Sequence, residues 1–171
     1  MKKIDIAYIA GVMDSDGYFT IKKSTYNMRK FKDRKNPQYS EKCGIKQVQS
    51  QAVKFIYENF GGYYRIEKPS SENGKPLYAV QLMNKKAHTF IKIIYPYLRI
   101  KKSQAQILLK LRQSLDKGKT EKGISYHKDR WGNTTRFIRY RVSPEEIQYR
   151  ETLIKEIKSL NDTRPWSYIP I

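Results

Sequence analysis

Ile9-Ala10-Gly11-Val12-Met13-Asp14-Ser15-Asp16-Gly17, followed at once by the alternating run Tyr18-Phe19-Thr20-Ile21-Lys22, decides how this chain is read. Between residues 4 and 13 the apolar or small side chains Ile6, Ala7, Ile9, Ala10, Val12 and Met13 cover most of a short helix. So little polar face remains that the helix needs partners on more than one side. Ala10 and Gly11 are small enough to let another backbone approach closely, and Gly17 is expected to end the helix as a C-terminal glycine. Asp14 and Asp16 fall at the helix's C-terminal end, where the macrodipole is negative and an acid is disfavoured by several tenths of a kcal/mol. In a basic chain that placement asks for a cation.

Working outward, residues 18–27 alternate, with Phe19 and Ile21 on one face and Thr20, Lys22, Ser24 and Tyr26 on the other, the period of a half-buried strand. A basic turn at 28–36 leads to a second strand at 38–47. There Tyr39, Cys43 and Ile45 face inward and Gln38, Ser40, Lys42 and Gly44 face outward, making a hairpin. Ser50 is positioned to cap a helix through residue 60, whose stripe of Val53, Phe55, Ile56 and Phe60 is stopped by Gly61-Gly62. A second hairpin is expected from strands at 63–68 and 75–82 around a turn at 69–74. In it Arg65 and Glu67 lie opposite Tyr64 and Ile66, and Ala79 and Gln81 opposite Tyr78, Val80 and Leu82. Helices at 84–95 and 103–114 complete an α+β, αββαββα unit. It has a four-stranded antiparallel sheet covered by helices on one face and bare on the other.

The bare face carries Lys22, Lys42, Arg65, Lys75 and Gln81, and a β-ribbon with such side chains fits the DNA major groove. Residues 116–136 are polar and basic and read as a long loop or irregular hairpin. For this segment, which holds His127 and Trp131, a backbone-contacting extension and a plain surface hairpin both stay open. Ser143-Pro144-Glu145-Glu146 is a capping box that opens a helix to residue 160, with Leu153, Ile154, Ile157 and Leu160 inward and an irregular tail beyond 162. The expected organisation is a core domain at 1–115 and a helical extension at 116–171 packed on it.

The 171 residues include 35 Lys+Arg against 16 Asp+Glu, a net charge of +19. Self-repulsion of that size points to a polyanionic partner. No run of about 18 apolar residues occurs, and the N-terminal apolar stretch is broken by Asp too early for a signal peptide. A soluble intracellular protein is expected, with no membrane partner and no small-molecule substrate. Cys43 is the single cysteine, and with His88 and His127 far apart there is no zinc quartet; His88 reads as helix packing. Asp14 to Gly17 fail as a calcium loop because Val12 and Lys23 would occupy the first and last ligand positions. Gly118-Lys119-Thr120 fails as a phosphate loop because Gln113 stands where the first Gly is needed.

The nine residues Ile9 to Gly17 resemble the signature of the LAGLIDADG homing endonucleases, with both acids and both glycines intact. The resemblance continues through 45–62 and 73–82, and most clearly through 86–106 (KAHTFIKIIYPYLRIKKSQAQ), about two-thirds of the chain. Departures are mild: Ile9 for Leu, Val12-Met13 for the usual pair, and Ser15 for Ala or Gly. The resemblance implies a saddle of four strands and a site-specific enzyme that cuts both strands of duplex DNA at long, rare sites with short 3′ overhangs. With one motif per chain it implies a homodimer and a pseudo-palindromic site. The interface would be built from the first helix through Ile9, Ala10, Gly11, Met13 and Asp14.

By the same resemblance Asp16 would bind Mg²⁺ (or Mn²⁺), with the Ser15 carbonyl as a secondary ligand. Gln47 would orient water, with Gln49 as its rival, and Lys101 would offset phosphate charge. DNA contacts would come from Thr20, Lys22, Ser24, Tyr26, Gln38, Ser40, Lys42, Arg65, Glu67, Lys75 and Gln81. Two other functions share the fold: an intron-splicing maturase that binds RNA, and a non-cleaving DNA-binding regulator. Asp16 at an unfavourable helix end argues for cleavage.

Overall fold

The computed structural model describes residues 1–25, 36–69, 74–117 and 120–162. Helix α1 (Lys3–Ser15) leads into strands β1 (Gly17–Ser24) and β2 (Gln38–Gln47), helix α2 (Ser50–Phe60), and strands β3 (Tyr63–Glu67) and β4 (Leu77–Met83). Helix α3 (Asn84–Ile94), a 3-10 turn (Tyr95–Tyr97) and helix α4 (Lys102–Lys117) follow. Strands β5 (Thr120–Lys128) and β6 (Thr134–Arg141) then precede helix α5 (Pro144–Asn161). The first four strands form one antiparallel sheet in the order β1-β2-β4-β3, so the α+β core has the expected αββαββα order. Tyr26, the basic turn at 28–35, most of the turn at 69–74 and the tail from 163 lie outside the described residues.

Alternation sets the two faces. Phe19 pairs with Cys43, and Cys43 with Leu82, so one row of side chains crosses three strands into the core. Val80, Ile45, Val53, Ile56, Phe90, Ile91 and Leu108 close around it, all essentially inaccessible. Burying each such side chain contributes about 2 kcal/mol. Glu41 shares this inward parity and is fully buried, and Arg112 on α4 answers it with Nε and Nη2 each 2.5 Å from a carboxylate oxygen. Two parallel charge-assisted bonds satisfy an acid that the core could not otherwise hold.

Two local expectations change. Gly17 does not end α1 through a left-handed backbone; it is the first residue of β1. A Cβ there would lie 2.6 Å from both the Met13 carbonyl oxygen and the Met13 methyl, so glycine is required by close approach. Ser50 is the first residue of α2 rather than its cap, which is Gln49 with no side-chain bond. Of the two readings open for 116–136, the irregular hairpin is the one found: α4 runs to Lys117, and β5 pairs with β6 in a separate two-stranded sheet whose register shifts between Glu121 and Gly123. Gly61 and Gly62 do stop α2 with φ of 68° and 105°, and Ser143 Oγ accepts the Glu146 amide to cap α5.

Helix α5 belongs to the same core through Leu153, Ile154 and Ile157; Leu160, expected inward, is exposed. Glu151 receives Tyr39 Oη at 2.5 Å and faces Lys23 Nζ at 2.6 Å, while Asn161 Nδ2 donates to the Phe19 carbonyl of edge strand β1 at 2.8 Å. The Asn161 bond satisfies a backbone carbonyl that edge strand β1 would otherwise leave open. No described helix is long and apolar enough to cross a membrane.

Candidate active site

The C-terminus of α1 lies beside the segment that opens α4, and the two acids of the motif divide the work there. Asp14 is buried, and its carboxylate accepts the backbone N–H groups of Arg99 at 2.7 Å and Lys101 at 2.8 Å. Lys101 is the residue whose carbonyl takes the first α4 bond, from Ala105. Asp14 thus serves as a cap supplied from another helix, at the positive end of the α4 dipole. The electrostatic misfit at the end of α1 is resolved by that contact.

Lys101 sends its ammonium back to α1. Nζ donates to the carbonyls of Met13, Ser15 and Gly17 at 3.2, 2.9 and 2.6 Å, across the junction where α1 ends and β1 begins. Burial lowers the Lys101 pKa below the ordinary lysine value, and the nearby charges of Asp14 and Asp16 oppose that shift. The Ser15 carbonyl, expected as a secondary metal ligand, accepts one of these bonds through one of its two lone pairs.

Asp16 remains exposed. Gln47 Nε2 donates to its Oδ2 at 2.6 Å and Ser15 Oγ to its Oδ1 at 3.0 Å. The Gln47 bond, then the Ser15 bond, hold its pKa below the usual carboxylate range, so the group is anionic and aimed at solvent. Between Gln47 and Gln49, it is Gln47 at the end of β2 that touches Asp16. Both glutamines line an open cleft of about 450 Å³ with Asp16, Lys46 and Tyr8. Among the described residues no cluster of three or more His, Cys, Asp or Glu exists to hold a metal. A lone ionised carboxylate fits Mg²⁺, which is commonly held by one or two carboxylates together with substrate phosphates and water.

Beyond the cleft, strand register places Thr20, Lys22, Ser24, Gln38, Ser40, Lys42, Arg65, Glu67 and Gln81 on the outward face of the sheet. Lys75 is exposed just before β4; Tyr26 falls outside the described residues. Tyr18, Lys46 and Tyr63 share this face and were missed, although each is only one alternation step from a residue already assigned there. Tyr18 Oη lies 3.5 Å from Gln81 Oε1, under Lys42 at 5.7 Å from its ring centroid. Burial pushes the Tyr18 phenol up to about 12, so it stays a donor. Glu67 is not a free acid: Lys46 and Arg65 reach it at 2.8 and 2.5 Å, and these bonds hold its pKa low.

The first helix requires a correction. Ile9, Ala10 and Met13 are 1% exposed or less and Asp14 is 8% exposed, because they pack into the chain's own core, so they are not available to a second copy. Gly11 is the one residue of the expected set on the surface, with open space around it. It continues an exposed strip of Ile4, Ala7 and Tyr8, with Ile4 74% and Tyr8 52% exposed.

No family model and no curated protein matches the chain. Solved structures do, and they assign the fold: it is that of the LAGLIDADG homing endonucleases. The homing endonuclease I-CvuI, solved with the I-CreI target and Mg, is similar at TM-score 0.62 and 16% identity, over 95% of this chain and 85% of that one. The archaeal intron-encoded homing endonuclease I-Vdi141I, complexed with DNA, is similar at TM-score 0.61 and 15% identity, over 98% and 91% of the two chains. The homing endonuclease I-TnaI gives 0.55 and 12% over 91% and 92%.

Proposed function

We propose that this chain is a homodimeric, site-specific DNA endonuclease that hydrolyses both strands of a pseudo-palindromic duplex with Mg²⁺ (or Mn²⁺), as in intron homing. The observation that carries this reading is the anionic, solvent-facing Asp16 carboxylate, fixed by Gln47 at the edge of a sheet face studded with Lys, Arg and Gln. A protein that only bound DNA would gain nothing from an exposed acid in that field. The common fold with proteins solved on DNA supports the substrate class.

Asp16 would hold the divalent cation together with phosphate oxygens. When bound, that cation stabilises developing phosphate charge and lowers the pKa of the attacking water. Gln47 orients the carboxylate and borders the space where water would approach. Lys101 places a positive charge beside the foot of α1, where it offsets charge gathering on the phosphate. The outward residues of β1 to β4 would carry the duplex, with Lys22, Lys42 and Lys46 on phosphates and Gln81 and Arg65 within reach of base edges.

A single Asp16 per chain serves one strand, so cutting both requires two copies. The exposed strip Ile4, Ala7, Tyr8 and Gly11 supplies an apolar, small-residue face for that contact. Selection from randomised duplexes for Mg²⁺-dependent cleavage tests the proposal. Recovered sites should be pseudo-palindromic, with staggered cuts leaving 3′ overhangs. Failure to cleave any duplex, alongside tighter binding to a structured RNA, would favour the maturase reading instead.

A further inference from the structure

None of the described side chains of the β5–β6 hairpin belongs to the hydrophobic core. The two strands pair with each other, and among the described residues neither packs extensively on any other element. An isolated two-stranded ribbon is marginal in water, so a use outside the core is the natural reason to keep it. Its sequence carries six Lys or Arg against Glu121 and Asp129. Register puts Ile124, Tyr126, Lys128, Thr134 and Arg136 on one face. All five are exposed, Tyr126 at 68%.

The tip is built rather than loose. Asp129 Oδ1 accepts the amides of Trp131 and Asn133, each at 2.9 Å, and Oδ2 accepts Asn133 Nδ2 at 3.1 Å. The Asp129 amide donates to the Asn133 carbonyl and the Gly132 amide to the Asp129 carbonyl, with Gly132 at φ 87°. The acid is thereby consumed within the loop. Trp131 stands 71% exposed with the Arg130 guanidinium 4.1 Å from its ring centroid. A hydrogen-bonded loop that presents an indole and a guanidinium to solvent on a cationic ribbon has the composition of a nucleic-acid contact: cations for phosphates and an aromatic face for a sugar or base.

We propose that this hairpin is a second DNA-contacting arm, gripping duplex that flanks the stretch on the four-stranded sheet. Lys128, Arg130 and Arg136 meet phosphates and Trp131 packs against the sugar and base edge. The inference rests on the DNA-binding reading above and extends it to a surface outside the saddle.

Trp166 is the only other tryptophan, so W166F leaves Trp131 as the sole indole reporter. The W166F protein is titrated with a mixed-sequence duplex of about 40 base pairs at several salt concentrations, and the same is done with K128A/R130A added. Trp131 emission should change on DNA addition. The double variant, altered only at exposed residues that leave the core intact, should bind about ten-fold more weakly, with a salt slope smaller by about 1 to 2.

Duplex binding with unchanged Trp131 emission, affinity and slope in the variant would overturn the arm and leave the DNA-binding reading standing. No duplex binding by the W166F protein would overturn both. An emission change that follows protein concentration rather than DNA would make the hairpin a contact between copies. A larger response to a structured RNA of equal length would make it an RNA contact. Either overturns the proposal.

Discussion

Replacing Lys101 by Met separates two roles that the geometry gives one side chain. Its ammonium donates to the carbonyls of Met13, Ser15 and Gly17. A hydrogen bond to a charged group is worth about 1.5–3 kcal/mol net. Here three bonds share one donor, the site is partly open to solvent, and the ammonium must be desolvated, so the combined contribution is about 2 kcal/mol. Met keeps the length and apolar stem of Lys, which confines the change to the head group. The variant should therefore lose about 2 kcal/mol in urea unfolding and about 4–8 °C in Tm, as well as cleavage. Both proteins must be compared at one protomer concentration, because self-association shifts the midpoint. If Lys101 were only a cation facing the phosphate, K101M would behave as a surface change within about 0.5 kcal/mol. A loss that small, with cleavage abolished, would refute the capping role.

Arg112→Ala leaves Glu41 buried and unpaired and should cost about 3–5 kcal/mol, read by chemical denaturation. Two glycines of the motif should respond in opposite ways. G11A enters open space and gains up to about 1 kcal/mol of helix propensity, whereas G17A drives a Cβ onto Met13 and should cost about 2 kcal/mol or more. G11L should leave the unfolding midpoint of the isolated chain near that of the parent. It should abolish self-association in sedimentation and, with it, double-strand cleavage.

The order of the core elements and the two faces of the sheet were legible because alternation is a local signal: Phe19, Cys43 and Leu82 declare their side without knowledge of their partners. The acids of the motif were equally plain as an electrostatic anomaly. Its resolution was not, because Lys101 and Asp14 are 87 residues apart in sequence and nothing local says that an ammonium and two amides will close the end of α1. The same holds for Glu41, whose parity points inward but whose partner Arg112 lies 71 residues away. Helix α1 misled in a specific way. Small residues suit either a partner helix or the chain's own core, and periodicity alone could not tell that Ala10 faces inward while Gly11 faces out. Residues 116–136 were legible as a hairpin only in outline, because glycines and polar side chains give no apolar alternation to mark where its strands begin and end.

The most direct test compares the parent and D16N on a duplex recovered by cleavage selection, with binding and Mg²⁺-dependent cutting measured side by side. The substitution removes the charge while an amide oxygen can still accept from Gln47. D16N should bind the duplex within a few-fold of the parent and cut neither strand. Retained nicking or cutting by D16N would contradict the account, because the exposed acid at the foot of α1 would then not be the group on which the chemistry depends.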